Sequence, residues 1–387
     1  MRKLIGNIIL SILLLGQIAA CQNKKTMTAE EEAKLDQEEI NRPNEIWPTN
    51  KDAKGDYYYY VSLNSFPGSL GEDAGSAFIT GKEKVGFLTM ENDAWTTTTG
   101  AVLNDEYHPV PDSLYVRWFS LPEDKFYEGR FKMPTQVIKE HFDEMWLTYG
   151  ASDMEIKADK YDRFTNLIVG ITPGGGVMVW QKSSDQQIEI GHYQAHEIEM
   201  DWNKFAGINN FGDGSTRQQF IASQKNRITL PIPFGKAEKY REKYLWKCGV
   251  EVSPDLKNIS LQLHMFNGEF DSSYSEYKDG TNEYKERALP KRVNFIFQDR
   301  NRKIYNFEVS FDEKDIYKAF HTVFIDKKKK ADLVLVLDKD NKVFKIVLRC
   351  KTEEYVLNPD KINVSSIKYD SDISPLKDTF YGKEFNP

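Results

Sequence analysis

The chain has 387 residues, of which 40% are hydrophobic and 29% charged, and its formal net charge is −7. An acidic balance argues against a nucleic-acid-binding protein, which needs basic side chains to neutralise phosphates. A chain of this length can bury a substantial core and hold two domains. Aromatic residues make up 13% of the chain, and because such side chains pack well on a pleated surface, the composition favours strands.

The N-terminal residues 1–20 carry the features of an export signal. Arg2 and Lys3 precede an apolar run over residues 4–15. This run is shorter than the ~20 apolar residues that span a bilayer, so it is predicted to be a removable signal peptide. Residues 18–21, Ile-Ala-Ala-Cys, resemble the lipobox of bacterial lipoprotein signals. That resemblance implies cleavage before Cys21, a diacylglycerol group on its thiol and N-acylation.

Lipidation at Cys21 would fix the mature protein to a membrane, because two or more acyl chains anchor a protein stably. Loss of Arg2 and Lys3 with the signal changes the net charge from −7 to −9. By the sorting rule of enteric lipoproteins, Gln22 after the cysteine implies the outer membrane. We therefore expect a lipid-anchored envelope protein, periplasmic or surface-exposed. The alternative is an ordinary signal peptide with a chance cysteine.

Residues 21–54 are predicted to be a lipid-anchored flexible tether. They have no large apolar face, and acidic residues dominate them: Glu30, Glu31, Glu32, Asp36, Glu38 and Glu39. A flexible coil of this length reaches roughly 30 Å, which would hold the folded body clear of the lipid. An alternative for residues 29–40 is a solvated helix.

Alternating apolar residues predict a β domain over residues 55–235. Residues 112–121 alternate most clearly, with Leu114, Val116 and Trp118 on one face, as the two-residue period of a strand requires. Residues 166–182 predict a hairpin whose Pro-Gly-Gly-Gly turn tolerates positive φ. Trp118 and Trp180 should be buried. Further strands are expected at residues 57–61, 77–80, 85–89 and within 188–202.

One amphipathic helix is predicted over residues 135–149. Pro134 suits its first turn and Gly150 its end. Its apolar face recurs at helical spacing through Ile138, Phe142, Met145 and Tyr149. Residues 203–217 are polar and rich in glycine, and they predict a loop or a domain boundary.

Residues 236–350 predict a second β-rich domain or a continuation of the first, and residues 351–387 a C-terminal extension. Strands are expected at residues 259–266, 293–297, 305–310, 333–337 and 343–348. Asp312 can cap a short helix carrying Ile316, Phe320 and Val323. Strands recurring with turn signals indicate a mainly β fold, with antiparallel β-sandwich-like sheets and one or two short packed helices.

No residue pattern predicts a catalytic, cofactor or metal site. Residues 172–176 lack the Lys-Ser/Thr of a phosphate loop and lead into a strand. His192 and His196 are four residues apart, which in a strand means ~13 Å, too far for one ion. Residues 338–341 lack the glycine and the distal glutamate of a calcium loop.

Cys248 and Cys350 are the cysteines that remain once Cys21 is lipidated. An oxidising compartment permits a disulfide between them. The alternative is two buried free thiols, since free cysteine is among the residues most often buried. Their spacing has no Cys-x-x-Cys character, so it suggests neither zinc binding nor thioredoxin-like redox chemistry.

Two stretches resemble the DUF2931 family of bacterial lipoproteins, which has no assigned function. They are residues 111–121, PDSLYVRWFSL, and residues 167–180, LIVGITPGGGVMVW. The specific part covers about residues 107–203, so the β domain over 55–235 is interpreted as having a DUF2931-like core. The motifs carry no catalytic residue to transfer. The association of such genes with interbacterial toxin systems implies an immunity role.

These observations lead to one main hypothesis and two alternatives. The main hypothesis is a non-enzymatic, envelope-anchored lipoprotein of the immunity type, which binds a toxin or effector protein. A net charge near −9 would steer a basic partner. The first alternative is a glycan-binding lipoprotein at the cell surface, since the seven Trp and 20 Tyr offer stacking platforms. The second is a hydrolase whose paired carboxylates the sequence cannot identify.

Overall fold

The computed structural model describes most of the chain from residue 51 to residue 380. The described ranges are 51–66, 71–81, 83–88, 90–91, 101–102, 107–144, 146–148, 160–209, 214–251, 257–274, 283–298, 304–325, 329–338, 343–351, 353–369 and 375–380. The predicted signal peptide, Cys21 and nearly all of the tether lie outside them. Within these ranges, no helix is long and apolar enough to cross a membrane.

Four sheets, five α-helices and two short 3-10 helices, Lys225–Arg227 and Pro359–Lys361, make up the described part. The 12-stranded sheet consists of β1 (Tyr60–Ser65), β5 (Met90–Glu91), β6 (Ala101–Val102), β11 (Asn166–Thr172), β12 (Gly176–Lys182), β13 (Gln186–Gln194), β16 (Lys257–Met265), β17 (Phe270–Tyr274), β19 (Pro290–Gln298), β20 (Ile304–Phe311), β24 (Ile362–Tyr369) and β25 (Pro375–Phe380). The six-stranded sheet consists of β2 (Gly71–Asp73), β3 (Ala77–Thr80), β4 (Glu83–Phe87), β7 (Ser113–Ser120), β8 (Lys125–Lys132) and β14 (His196–Ile198).

The remaining elements are shorter. The five-stranded sheet consists of β15 (Tyr244–Glu251), β18 (Lys285–Arg287), β21 (Ala331–Leu337), β22 (Val343–Cys350) and β23 (Glu353–Val356), and the two-stranded sheet of β9 (Trp146–Thr148) and β10 (Lys160–Asp162). The helices are α1 (Thr135–Asp143), α2 (Trp202–Ile208), α3 (Arg217–Ser223), α4 (Lys236–Tyr240) and α5 (Glu313–Val323). Most pairings are antiparallel, and those of β1 with β5 and β11 and of β15 with β21 are parallel. The mainly β fold class predicted from the sequence is confirmed.

The hairpin predicted over residues 166–182 is confirmed. Strands β11 and β12 pair antiparallel, with Ile168 opposite Trp180 and Thr172 opposite Gly176. Trp118 and Trp180 are both buried, as expected. The strand predicted over residues 112–121 is β7, with Leu114, Val116 and Trp118 all buried on one face.

Helix α1 is shorter than predicted. It ends at Asp143, and Glu144 is already extended, with a ψ of 135°. Residues 146–148 then form β9, which pairs with β10. The extension of the helix to residue 149 was therefore wrong, because Trp146 and Thr148 suit a strand and find a pairing partner. Ile138 and Phe142 are buried as predicted.

The loop predicted over residues 203–217 was also wrong at both ends. Asp201 caps α2 by accepting a hydrogen bond from the backbone N–H of Lys204, at 2.9 Å. Thr216 and Gln219 form a capping box at the start of α3, an arrangement that satisfies two orphan N–H groups. Phe205 of α2 is buried among aromatic side chains of β7 and β8. This contact with residues distant in sequence stabilises a helix where the polar composition alone predicted a loop.

Two hydrophobic cores lie on the 12-stranded sheet. The first is formed by β1, β11 and β12 with β3, β7, β8 and α1, and Trp118 stacks on Tyr127 within it, with ring centroids 5.2 Å apart. The second is formed by β16, β19 and β20 with β15, β21, β22 and α5. Phe307 lies 5.0 Å from Phe295 and 5.3 Å from Phe297, ring centroid to ring centroid, in this second core. Each core has the layered arrangement of a sandwich.

The predictions for the C-terminal part largely agree with the structure. Strands β21 and β22 pair as a hairpin, and Asp312 caps α5, whose Ile316, Phe320 and Val323 are buried. The 12-stranded sheet continues across residue 235, because β13 pairs with β17. The division into two β domains stays a prediction. Strands β24 and β25, within the predicted extension, belong to this same sheet.

Candidate binding surface

Cys248 and Cys350 are buried free thiols on β15 and β22. Strand β21 lies between these two strands. Two strand spacings amount to ~9.6 Å, whereas the Cα atoms of a disulfide lie less than about 7 Å apart. This geometry favours the alternative of two free thiols. Burial raises the pKa of the Cys248 thiol to about 12.

The histidines considered as ligands do not converge on a common point. His192 lies in β13, and its Nε2 is 2.5 Å from Oε1 of Glu238. His196 begins β14 and is exposed. In the ranges that the structure describes, no group of His, Cys, Asp and Glu side chains could hold a metal ion. Of the residues compared with a calcium loop, Asp338 is described and 339–341 lie outside.

The glycine-rich turn between β11 and β12, the hairpin tip, is held firmly in place. Gly174 and Gly175 have φ of +82° and +88°, which favours glycine. The backbone N–H of Gly174 donates to Oε1 of Glu123 at 3.0 Å, and the hydroxyl of Tyr127 donates to the same oxygen at 2.7 Å. Burial and the Glu123 carboxylate raise the pKa of Tyr127, so this hydroxyl keeps its proton.

Side-chain packing fixes the hairpin tip from the other direction. The amide of Gln194 donates to the backbone oxygen of Gly174 at 2.7 Å. A Cβ on Gly175 would lie 2.8 Å from the backbone oxygen of Ala195 and 2.9 Å from Cδ1 of Tyr127. No larger residue fits there without a shift of its neighbours. The turn therefore presents Gly174, which is exposed, in a fixed position.

An exposed apolar segment, which we name the apolar loop, lies beside the hairpin tip. It spans residues 228–235, Ile-Thr-Leu-Pro-Ile-Pro-Phe-Gly. Leu230 is 74% exposed and Phe234 58% exposed. A Cβ on Gly174 would lie 3.7 Å from Cδ1 of Phe234, so the loop and the tip form one continuous surface.

Both ends of the apolar loop are packed. At its start, Ile228 packs against the aromatic cluster that contains Phe205. After its end, Ala237 and Tyr240 of α4 pack in a cluster with Trp180. Leu230 and Phe234 are therefore exposed on a loop whose two ends are fixed by packing.

Ion pairs attach the C-terminal side of the loop to the main sheet. The guanidinium of Arg241 binds Glu189 of β13, with its closest nitrogen 2.7 Å from Oε1, and this hydrogen bond raises the pKa of Arg241. Lys243 lies 2.9 Å from Oε1 of Glu269. The side chain of Gln187 donates to the backbone oxygen of Gly268 at 2.7 Å. Helix α4 and the loop before it are therefore restrained by charge as well as by packing.

Sequence reasoning missed the apolar loop. Leu230, Ile232 and Phe234 alternate with Pro231 and Pro233, and proline cannot donate to a sheet ladder or continue a helix. The sequence pattern that marks the apolar loop is therefore a run of apolar residues in a segment that can form neither a central strand nor a helix. Such a run is either a covered core segment or an exposed segment, and Leu230 and Phe234 are exposed.

A family model described as a protein of unknown function, DUF2931, matches residues 20–235, more than half of the chain. The chain belongs to this family. The resemblance carried by residues 111–121 and 167–180 is confirmed. The DUF2931 match ends at Gly235, so it includes the hairpin tip and the whole apolar loop. No curated protein and no solved structure matches the chain.

Proposed function

We propose that this DUF2931 protein is a non-enzymatic, envelope-anchored lipoprotein that binds a protein partner through the apolar loop. The observation that carries the proposal is the exposure of Leu230, 74%, and Phe234, 58%, in a loop whose ends are packed. The two side chains belong to one exposed segment of the chain, and contiguous exposed apolar surface marks interaction sites. A restrained loop also loses little conformational entropy on binding, which favours affinity.

The proposed partner is a toxin or effector protein, which makes the protein an immunity-type lipoprotein. Membership of DUF2931 supports this partner through the family's association with interbacterial toxin systems. A lipid on Cys21 would keep the binding surface at the membrane that a periplasmic toxin reaches. The formal charge of −9 that remains after loss of Arg2 and Lys3 would speed encounter with a basic partner.

The decisive experiment looks for an effector gene beside this one and expresses the toxin that it encodes in the periplasm, with and without this protein. Wild-type protein should restore growth and form a complex that survives purification. The double variant Leu230→Ser/Phe234→Ser should weaken the complex by at least ~30-fold, since an anchor residue contributes ~2 kcal/mol or more. Absence of both rescue and complex with wild-type protein would refute the immunity role.

A matched control separates the loop from general surface hydrophobicity. Ile325 is 84% exposed and Val356 53% exposed, and both lie outside the apolar loop. The double variant Ile325→Ser/Val356→Ser should bind the toxin as the wild type does. If both double variants lose the toxin equally, the apolar loop is not the contact surface.

The glycan-binding alternative has less support from the positions of the tryptophans. Trp118, Trp180 and Trp246 are buried core residues. A sugar-stacking platform needs an exposed aromatic face, which these three cannot offer. Micromolar binding of an envelope glycan by the purified protein would restore this alternative.

A further inference from the structure

A row of register partners crosses the 12-stranded sheet on the C-terminal side of the hairpin. Lys182, Gln187, Phe270, His264 and Arg292 lie opposite one another in successive strands. Leu261, Leu263 and Met265 of β16 fill the second core. Because successive side chains of a strand point to opposite faces, His264 and its row occupy the face opposite this core, which we name the outer face. Gln187 and Phe270 of the row are buried there.

Three cationic side chains surround one aromatic pair on this outer face. His264 stacks on Phe270, with ring centroids 5.4 Å apart, and Lys182 Nζ lies 6.0 Å from the centre of the Phe270 ring. A β-bulge follows His264, and the extra residue it inserts is Lys291, next to Arg292. Burial, and then the charges of Arg292, Lys291 and Lys182, lower the pKa of His264 to about 4.

Two carboxylates next to the row, Glu189 and Glu269, are paired with Arg241 and Lys243. The carboxylate of Glu308 lies 3.4 Å from Arg292. Lys291 is exposed, and no carboxylate of the described residues pairs with it. The local charge is thus positive, although the whole chain carries −7. These like charges repel one another, and an anion bound between them would reduce the repulsion.

Polar atoms without hydrogen-bond partners lie among these cations. Three of them are His264 Nδ1, Ser272 Oγ and Asn294 Oδ1, and Gln187 Oε1 of the same row is a fourth. Ser272 and Asn294 flank Gln262 in the neighbouring row of the sheet. Each buried polar atom left unpaired costs about 1–3 kcal/mol, so three in adjoining strands indicate a site that a ligand completes.

The hydrogen-bonding roles of these atoms define the ligand. A nitrogen of Arg292 lies 3.4 Å from His264 Nε2, and arginine is always a donor, so we assign Nε2 as the acceptor. The neutral ring then carries its proton on Nδ1, which becomes a donor like the Ser272 hydroxyl. Asn294 Oδ1 is an acceptor. The ligand must therefore offer anionic oxygens to the donors and at least one hydroxyl to Asn294.

We propose that this outer-face cluster binds an organic phosphate that carries hydroxyl groups, of the glycerol phosphate type. Its members are Lys182, His264, Ser272, Lys291, Arg292 and Asn294. The cations and the two donors bind the phosphate, and Asn294 accepts a hydroxyl. Ser272 and Asn294 are two strand spacings apart, ~9.6 Å, a span that a phosphate with a short polyol can fill. Lys291 is exposed and the other members are half-buried, so a side-chain rotation would bring the buried polar atoms to the ligand.

Titration calorimetry on the mature protein, purified in neutral detergent, tests the proposal. Glycerol 3-phosphate should bind with a millimolar or tighter Kd, inorganic phosphate more weakly, and glycerol without measurable heat. Micelles doped with phosphatidylglycerol or phosphatidylcholine distinguish the two possible sources of the phosphate, a lipid headgroup and a free organic phosphate. Binding of phosphatidylglycerol but not of free glycerol 3-phosphate assigns the site to a lipid headgroup. Absence of binding by both overturns the proposal.

Two variants test the assigned roles. Lys291→Gln should weaken glycerol 3-phosphate binding about tenfold, because it removes one charge-assisted contact. Lys285→Gln, an exposed lysine of β18 in another sheet, should leave binding unchanged. Asn294→Leu should remove the preference for glycerol 3-phosphate over inorganic phosphate. Equal binding of the two phosphates by the wild type, or unaltered binding by Lys291→Gln, would contradict the assignment.

Discussion

Gly175 shows how strongly a single residue constrains the hairpin tip. Its φ is +88°, and a Cβ would meet Ala195 and Tyr127 at less than 3 Å. We predict that Gly175→Ala lowers the free energy of unfolding by about 2–3 kcal/mol, from backbone strain and overpacking together. Urea unfolding followed by tryptophan fluorescence measures this change.

A second glycine provides the control for this prediction. Gly214 has a φ of +64°, and no atom lies within 4 Å of a Cβ built there. Gly214→Ala should therefore cost only the backbone strain, about 1 kcal/mol. Equal costs for the two substitutions would show that the hairpin tip is not tightly packed against Ala195 and Tyr127.

The two remaining cysteines are a second test at the residue scale. Cys248 and Cys350 are buried thiols on strands separated by β21. We predict that alkylation without reductant labels both after unfolding in guanidinium, and labels neither quickly in the folded protein, because burial raises the pKa of Cys248 to about 12 and the thiolate is the reactive form. Peptide mass spectrometry reads the labels. A Cys248–Cys350 disulfide-linked peptide would contradict the structure.

At the scale of elements, local sequence patterns were enough to predict two paired strands where the strands are close together in the sequence. The hairpin of β11 and β12 is an example, because the turn at residues 173–176 and both strands lie within one stretch. The end of α1 at Asp143 was not predictable in this way, since it depends on the pairing of β9 with β10 after an intervening segment. Helix α2 likewise depends on Phe205 reaching Phe119 and Phe126.

The candidate binding surface could not be predicted from the sequence either, because its exposure also depends on contacts between distant residues. Leu230 and Phe234 are apolar, and the same residues suit a core as well as a contact surface. Their exposure follows from the two ends of the apolar loop, which pack in separate clusters around Phe205 and Trp180. Neither cluster can be foreseen from the loop itself.

Two phenylalanines allow a buried position to be compared with an exposed one. Phe205 of α2 is fully buried, whereas Phe234 is 58% exposed. We predict that Phe205→Ala lowers the free energy of unfolding by about 3–5 kcal/mol, and that Phe234→Ala changes it by less than about 0.5 kcal/mol. Urea unfolding of both variants measures this. A large loss for Phe234→Ala would mean that the apolar loop serves the fold rather than a partner.

At the scale of the whole molecule, the 12-stranded sheet connects the part matched by DUF2931 with the rest of the chain. Strand β13 pairs with β17 through Gln186 and Gln187, and the pairs Arg241–Glu189 and Lys243–Glu269 lie alongside. The family match therefore ends at residue 235, although later strands of the chain continue the same sheet. The proposed protein-binding surface lies within the matched range and the proposed phosphate site mostly outside it, so the two can be tested separately.

The proposed lipid anchor at Cys21 is the feature on which the proposed role in the envelope depends. Cys21 would be both the lipid attachment site and the mark for processing, so Cys21→Ser should leave an unprocessed or mislocalised precursor without a palmitate label. Cys350→Ala, which removes a buried thiol, should keep label and membrane fractionation. Palmitate labelling and intact-mass analysis measure both. A soluble mature wild-type protein with an unmodified Cys21 thiol would remove the anchor, since stable attachment requires at least two acyl chains.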